Sequence, residues 1–153
     1  MHKPGQPVHI LMADDDPDDR MLADQAFRQY RLKNGVVFVE DGQELMDYLH
    51  HQGQYADAHQ FPLPDLILLD LNMPRKDGRE ALTEIKTDPI LRRIPVVILT
   101  TSQAEEDVLR SYDLGANAYI TKPVTFQGLS ETIRLLNIFW FELVKLPNGA
   151  LGD

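Results

Sequence analysis

Short continuous apolar runs alternate along this chain with stretches whose apolar residues recur at helical spacing. Val8–Ala13, Val36–Val39, Leu66–Leu69, Pro95–Thr100 and Asn117–Thr121 read as five short strands. Most of them lack polar alternation, as strands covered on both faces of a parallel sheet do. Between them the pattern predicts helices over about Pro17–Arg31, Gln43–His51, Arg79–Thr87 and Gln103–Leu114, with a fifth from Phe126 onward. A (βα)₅ alternation requires right-handed crossovers, giving an open, doubly wound α/β fold with a five-stranded parallel sheet.

Several boundaries carry their own chemistry. Asp16 precedes Pro17 as an N-cap before a proline at the first helical position, and Asp18 and Asp19 suit the positive end of that helix. Gly115 can supply the left-handed residue that ends the fourth helix. Asp77 reads as a turn residue before Gly78. The polar segment between His51 and Pro64 shows no periodicity and reads as a surface insertion. His50, His51 and His59 lack ligand spacing and read as surface residues.

The C-terminal part is unusually apolar. Phe126, Leu129, Ile133, Leu136, Trp140 and Leu143 form one helical stripe that can pack on the sheet. Leu135, Ile138, Phe139 and Phe141 fall off it, and the run Ile138–Phe141 spans the whole circumference of a helix. Exposed aromatic patches mark partner surfaces, so Phe139, Trp140 and Phe141 are expected in a homodimer interface. The alternative is a tail folded back on its own domain. The expected organisation is a tail over 1–7, one domain over 8–146 that includes the apolar segment 137–146, and a frayed end over 147–153. Too few residues follow Leu136 for an output domain.

Bulk properties narrow the field. A chain of 153 residues buries roughly 70% of its unfolded surface. A formal charge of −9 at pH 7 argues against duplex DNA or an anionic membrane as partner. The absence of cysteine excludes disulfides, thiolate catalysis and Cys-based zinc sites. No apolar stretch suits a signal peptide or a membrane span, so a soluble cytoplasmic protein is expected.

The candidate chemistry lies at strand ends. Asp14, Asp15 and Asp16 close the first strand, Asp70 the third and Thr100 the fourth, while Lys122 follows the fifth. In an open α/β sheet, ligands bind beyond the carboxyl ends of the strands, so these positions converge on one rim. Carboxylates grouped there repel one another unless a cation relieves them. Mg²⁺, which takes one or two carboxylates plus waters and a phosphate, is the natural relief. Asp15 is expected to bind it directly and Asp14 partly through water, with Asp70 and the backbone carbonyl of Asn72 completing the set. Capping accounts for Asp16. A carboxylate such as Asp70 can attack phosphorus and form an acyl phosphate. Lys122 would be the point charge on the phosphoryl oxygens and Thr100 a hydroxyl that bonds one of them.

Asp14-Asp15, Asp70, Thr100 and Lys122-Pro123 together resemble the receiver domain of bacterial two-component response regulators, from about Val8 to Leu136. The resemblance implies a flavodoxin-like fold and transfer of phosphate to Asp70 from the phosphohistidine of a sensor histidine kinase, with slow self-catalysed hydrolysis afterwards. It also implies Tyr119 as a switch aromatic coupled to Thr100, and a Lys122–Pro123 bond that is often cis. The insertion before the third strand, Leu71-Asn-Met-Pro-Arg-Lys-Asp-Gly-Arg79, Thr87-Asp-Pro-Ile-Leu-Arg-Arg-Ile-Pro95 and the Phe139-Trp-Phe tail are similar to stand-alone phytochrome-associated regulators. That narrower likeness implies a red-light-sensing kinase as partner. Output would run through protein contacts with the kinase, a downstream target or a phosphotransfer protein, and the dimer would use the face of helix 4, strand 5 and helix 5.

Three rival functions remain beside it. A phosphohydrolase of the haloacid-dehalogenase type needs a second carboxylate two positions after the nucleophile, where this chain has Asn72; an amide is no general acid. A flavin or nucleotide module needs a Gly/Ser/Thr loop after the first strand, where Asp14 to Asp19 would repel phosphate. A phosphorylation-silent interaction domain would be expected to lack one of the five motif residues.

Overall fold

In a computed structural model, the described residues are 9–29 and 36–143, with side chains through 140. The strands are β1 (Ile10–Ala13), β2 (Val36–Val39), β3 (Leu66–Leu69), β4 (Val96–Thr100) and β5 (Ala118–Thr121). They alternate with helices α1 (Pro17–Gln29), α2 (Gly42–Leu49), α3 (Gly78–Thr87), α4 (Glu105–Asp113) and α5 (Phe126–Asn137), and a π-helical turn over Ile138–Leu143 prolongs α5. The expected positions Val8, Tyr30 and Arg31, the tail 1–7 and residues 144–153 lie outside the described residues, as do the side chains of Phe141 and Leu143.

All strand pairs are parallel, in the order β2-β1-β3-β4-β5. Successive strand residues face opposite sides, and the core divides accordingly. Ile10, Met12, Leu66, Leu68, Val97 and Leu99 pack with Ala23, Ala26 and Phe27 of α1 and Leu129, Ile133 and Leu136 of α5. Leu11, Ala13, Ile67, Leu69, Val96 and Ile98 face Leu45, Met46 and Leu49 of α2 and Leu82 and Ile85 of α3. The central strands β1, β3 and β4 are buried along their length, whereas β2 and β5 are partly exposed because they form the edges.

Local chemistry sets the ends. Asp16 Oδ1 accepts from the N–H of Asp18 at 2.8 Å, which is the expected cap. Asp77 is more than a turn residue: its carboxylate accepts from the N–H of Glu80 at 3.0 Å and caps α3. Gly115 adopts φ 108°, and the N–H groups of Gly115 and Ala116 return to the carbonyls of Tyr112 and Ser111. This Schellman closure needs a residue without a Cβ penalty.

The insertion before β3 differs from a simple polar surface loop. Tyr55, in a 3₁₀ turn over Gly53–Tyr55, is buried against Tyr48 of α2 and Phe61, with ring centroids 5.0 Å from each. Its hydroxyl donates to Glu44 Oε2 at 2.6 Å. Isolated aromatics among polar residues carry no period, so only the fold reveals that they meet. His51 also departs from a plain surface role: at φ 55°, one of its ring nitrogens lies 2.8 Å from the Phe61 carbonyl.

Candidate functional site

The strand order places the site. β1 has β2 on one side and β3 on the other, so the order in which strands are added to this parallel sheet reverses at β1, leaving a crevice between the β1 and β3 ends. At that crevice the ladder runs on by one residue: the N–H of Asp14 donates to the Val39 carbonyl at 3.0 Å and that of Asp70 to the Ala13 carbonyl at 3.1 Å. The N–H of Lys122 likewise donates to the Thr100 carbonyl at 2.7 Å. Backbone pairing thus lines up Asp14, Asp70, Thr100 and Lys122 along one rim.

Their side chains meet there. Oxygens of Asp14, Asp15 and Asp70 all lie within 4.8 Å of one another. Thr100 Oγ1, fully buried, donates to Asp70 Oδ1 at 2.7 Å, and the Asn72 N–H reaches the same oxygen at 3.3 Å. Lys122 Nζ donates to Asp14 Oδ2 at 2.6 Å, Asp19 Oδ2 at 2.9 Å and Asp70 Oδ2 at 3.2 Å. Arg20 Nη1 braces the acidic turn by donating to the Asp14 carbonyl at 2.7 Å, and its guanidinium also pairs with Glu40. Gly78 closes the other wall, since a Cβ there would overlap the carbonyl of Asp70.

The electrostatics follow from burial. Asp14 has no solvent exposure, and desolvation raises its pKa despite the hydrogen bond from Lys122 that opposes the rise. Burial alone would lower Lys122, but the hydrogen bonds and charges of Asp14, Asp19 and Asp70 outweigh it and hold the lysine above its ordinary value. The ammonium is therefore locked in its charged form. Three acidic oxygens of this hardness fit a divalent cation of the Mg²⁺ or Mn²⁺ kind. Asp15 is exposed at the mouth, Asp14 lies at the floor and Asp70 is nearly buried between them.

Every side chain expected in the acceptor site is on this rim. Tyr119 stands further back, half-buried, with its hydroxyl donating to the Ser102 carbonyl at 2.9 Å. Ser102 follows Thr100 by two residues and donates to Asp107 Oδ2 at 2.6 Å, and Asp107 also pairs with Arg79 at 2.7 Å. The described residues contain no cis peptide bond, so the expected cis Lys122–Pro123 bond is not found. Asp19 is a partner of Lys122 as well as a charge at the positive end of α1, a second role that four residues of spacing from Asp15 could have signalled. The Ser102–Asp107–Arg79 chain leaves no such signal, because Arg79 lies 28 residues from Asp107 and each residue is individually ordinary.

At the far end of α5, Trp140 packs on the core while Leu135 and Phe139 stay about half exposed, at 53% and 52%. With Ala118, Ile120 and Leu136 they line an apolar groove. No helix among the described residues is long and apolar enough to cross a membrane.

Known proteins share this fold. The chain is 43% identical over 141 residues to the response regulator Rcp1 of Synechocystis sp., covering 92% of this chain and 94% of that protein. The phosphorylated cyanobacterial phytochrome response regulator RcpA superposes with a TM-score of 0.86 at 45% identity, over 93% of this chain and 99% of its own. The Mn²⁺-bound form of Rcp1 superposes with a TM-score of 0.83 at 42% identity, over 92% and 99%. The response regulator receiver domain model matches residues 10–134, the span that holds the sheet and the whole rim. The chain therefore belongs to the response regulator receiver family of two-component signalling, and is closely similar to phytochrome response regulators.

Proposed function

We propose that the chain accepts a phosphoryl group on Asp70 from the phosphohistidine of a sensor histidine kinase of the phytochrome type. One observation carries the reading. The Asp70 carboxylate touches the Thr100 hydroxyl and the Lys122 ammonium at once, beside the carboxylates of Asp14 and Asp15. Asp14, Asp15, Asp70 and the Asn72 backbone carbonyl would hold Mg²⁺. Bound there, the cation neutralises charge on the phosphoryl oxygens.

An Asp70 oxygen attacks phosphorus; the new O–P bond forms as the P–N bond breaks, and the kinase imidazole leaves. Lys122, always charged here, steadies the phosphoryl oxygens. The Thr100 hydroxyl, bonded to Asp70 beforehand, turns to a phosphoryl oxygen once one is present. Its movement draws on the loop through Ser102, whose carbonyl holds the Tyr119 hydroxyl, so the phosphoryl charge is felt on α4 and β5. Water slowly hydrolyses the acyl phosphate and resets the site. The acidic charge and the family suit a cytoplasmic protein whose output is protein contact, with the kinase or with a downstream target or phosphotransfer protein.

Incubation with Mg²⁺ and acetyl phosphate, read by intact mass, tests the chemistry. Wild type should gain one phosphoryl mass and Asp70→Asn none, while Asp15→Asn should react only at raised Mg²⁺. Retained labelling in Asp70→Asn would place the acceptor elsewhere. A panel of phytochrome and other histidine kinases then tests the partner, with fastest transfer expected from the phytochromes.

We also infer a homodimer through α4, β5, α5 and the residues Phe139, Trp140 and Phe141. The support is the exposed apolar set on that face, Leu109 and Tyr112 of α4 with Leu135 and Phe139. Burying two aromatic side chains is worth roughly 3–6 kcal/mol. A two-fold interface buries these side chains from both protomers, and sedimentation equilibrium should show a dimer at about tens of micromolar. It should show a monomer for the triple variant Phe139→Ala/Trp140→Ala/Phe141→Ala. A monomeric wild type would refute the dimer.

A further inference from the structure

The three acidic contacts of Lys122 are not equivalent. An ammonium has three N–H donors, and those of Lys122 go to Asp14, Asp19 and Asp70 at 2.6, 2.9 and 3.2 Å. Asp14 and Asp70 also belong to the carboxylate trio completed by Asp15, whereas Asp19 does not. A dication drawn to that trio competes with the ammonium for Asp14 and Asp70 and leaves Asp19 to it. Asp19 is held in the first turn of α1 and its side chain is 31% exposed, so it stays in place without being deeply desolvated.

We infer that Asp19 is a positioning residue for Lys122. It draws the ammonium toward α1 and so weakens its hold on Asp70, the longest of the three contacts at 3.2 Å. The trio is thereby open to a divalent cation, and the lysine remains on the rim while the cation is bound. The inference rests on the cation reading given above. Without Asp19 the ammonium settles on Asp14 and Asp70 alone, and an entering cation must displace it from both. The effect passes through Lys122, which separates it from a general loss of negative charge.

Mn²⁺ binding to the full chain, with free Mn²⁺ counted by electron paramagnetic resonance, tests this. Asp19→Asn should weaken Mn²⁺ binding roughly three- to tenfold, the worth of one partly buried charged hydrogen bond. Asp18→Asn removes the same charge one residue away, from an exposed side chain, and should change binding by less than about twofold. In a Lys122→Met background, Asp19→Asn should lose its effect, because the partner through which it acts is gone. Equal weakening by Asp18→Asn and Asp19→Asn overturns the inference, and so does an undiminished Asp19→Asn effect without Lys122. If circular dichroism shows Lys122→Met to be unfolded, the Asp18 and Asp19 comparison decides alone. A wild type that binds no Mn²⁺, or binds it as well in Asp15→Asn, overturns the cation reading and this inference with it. Tight wild-type binding left unchanged by Asp19→Asn overturns only the inference.

Discussion

Gly78 shows how little room surrounds Asp70. A methyl group there would meet the backbone of Asp70 and Leu71, which cannot swing aside as a flexible side chain would. Gly78→Ala should therefore cost roughly 1–3 kcal/mol of stability, the range for forced overpacking, read as a lower urea midpoint at unchanged slope. An unchanged midpoint would mean that the α3 start is free to shift. Thr100 shows the other side of the same site. Its hydroxyl is buried and spends its one proton on Asp70. Thr100→Val keeps the shape and removes the bond, so labelling by acetyl phosphate should persist while the phosphorylation-induced shift of the Tyr119 ring signals in NMR disappears. A full shift in the variant would show that Tyr119 follows the phosphoryl group by another route. Asp70, Thr100 and Lys122 were all legible from their positions at strand ends. Asp19 was not, because a carboxylate in a first helical turn has a sufficient local reason to be there.

Between elements, polar chains of contact tie the loops to the framework. Arg79 of α3 pairs with Asp107 of α4, which also accepts from Ser102 in the loop after β4. The Ser102 hydroxyl, and then the Arg79 guanidinium, hold the Asp107 carboxyl below its ordinary value of 3.8. A depressed pKa stabilises the fold above pH 3.8, and that stability is lost as the pH falls through the lower folded value. Asp107→Asn should thus be less stable by roughly 1 kcal/mol at pH 7, with the gap to wild type closing below pH 3.8. A gap that survives in acid would point to packing instead. The insertion before β3 carries the opposite sign. Burial pushes Tyr48 from 10.0 up to about 12, and burial with the adjacent Glu44 raises Tyr55 still further. The unfolded chain loses these protons first, so stability should fall as the pH rises from 10.0 toward 12. Denaturant midpoints of Tyr48→Phe/Tyr55→Phe should flatten that alkaline decline. The insertion's polar composition gave no hint of this cluster, since Tyr55 and Phe61 follow no period.

Across the whole molecule, the sheet is both core and ruler. Leu68 at its centre is almost fully buried beneath α1 and α5. Leu68→Ala should cost roughly 2–5 kcal/mol, measured by chemical denaturation, and a loss below about 1 kcal/mol would mean that the two layers close over the space. The sequence by itself determined the strands, the helices and their parallel crossovers, because apolar runs and periodic stretches are written locally in the residues. It also determined which residues stand at strand ends, hence the carboxylates of Asp14, Asp15 and Asp70, the Thr100 hydroxyl and the Lys122 ammonium that meet on the rim. Other features depended on distance in space. The exposure of β2 and β5 follows from their edge places in the order β2-β1-β3-β4-β5. The third carboxylate on Lys122, the Arg79–Asp107–Ser102–Tyr119 chain and the Tyr48–Tyr55–Phe61 cluster join residues that no local pattern connects. Local periodicity reports which face a residue presents. Which residue of another element meets that face is decided only when the layers pack.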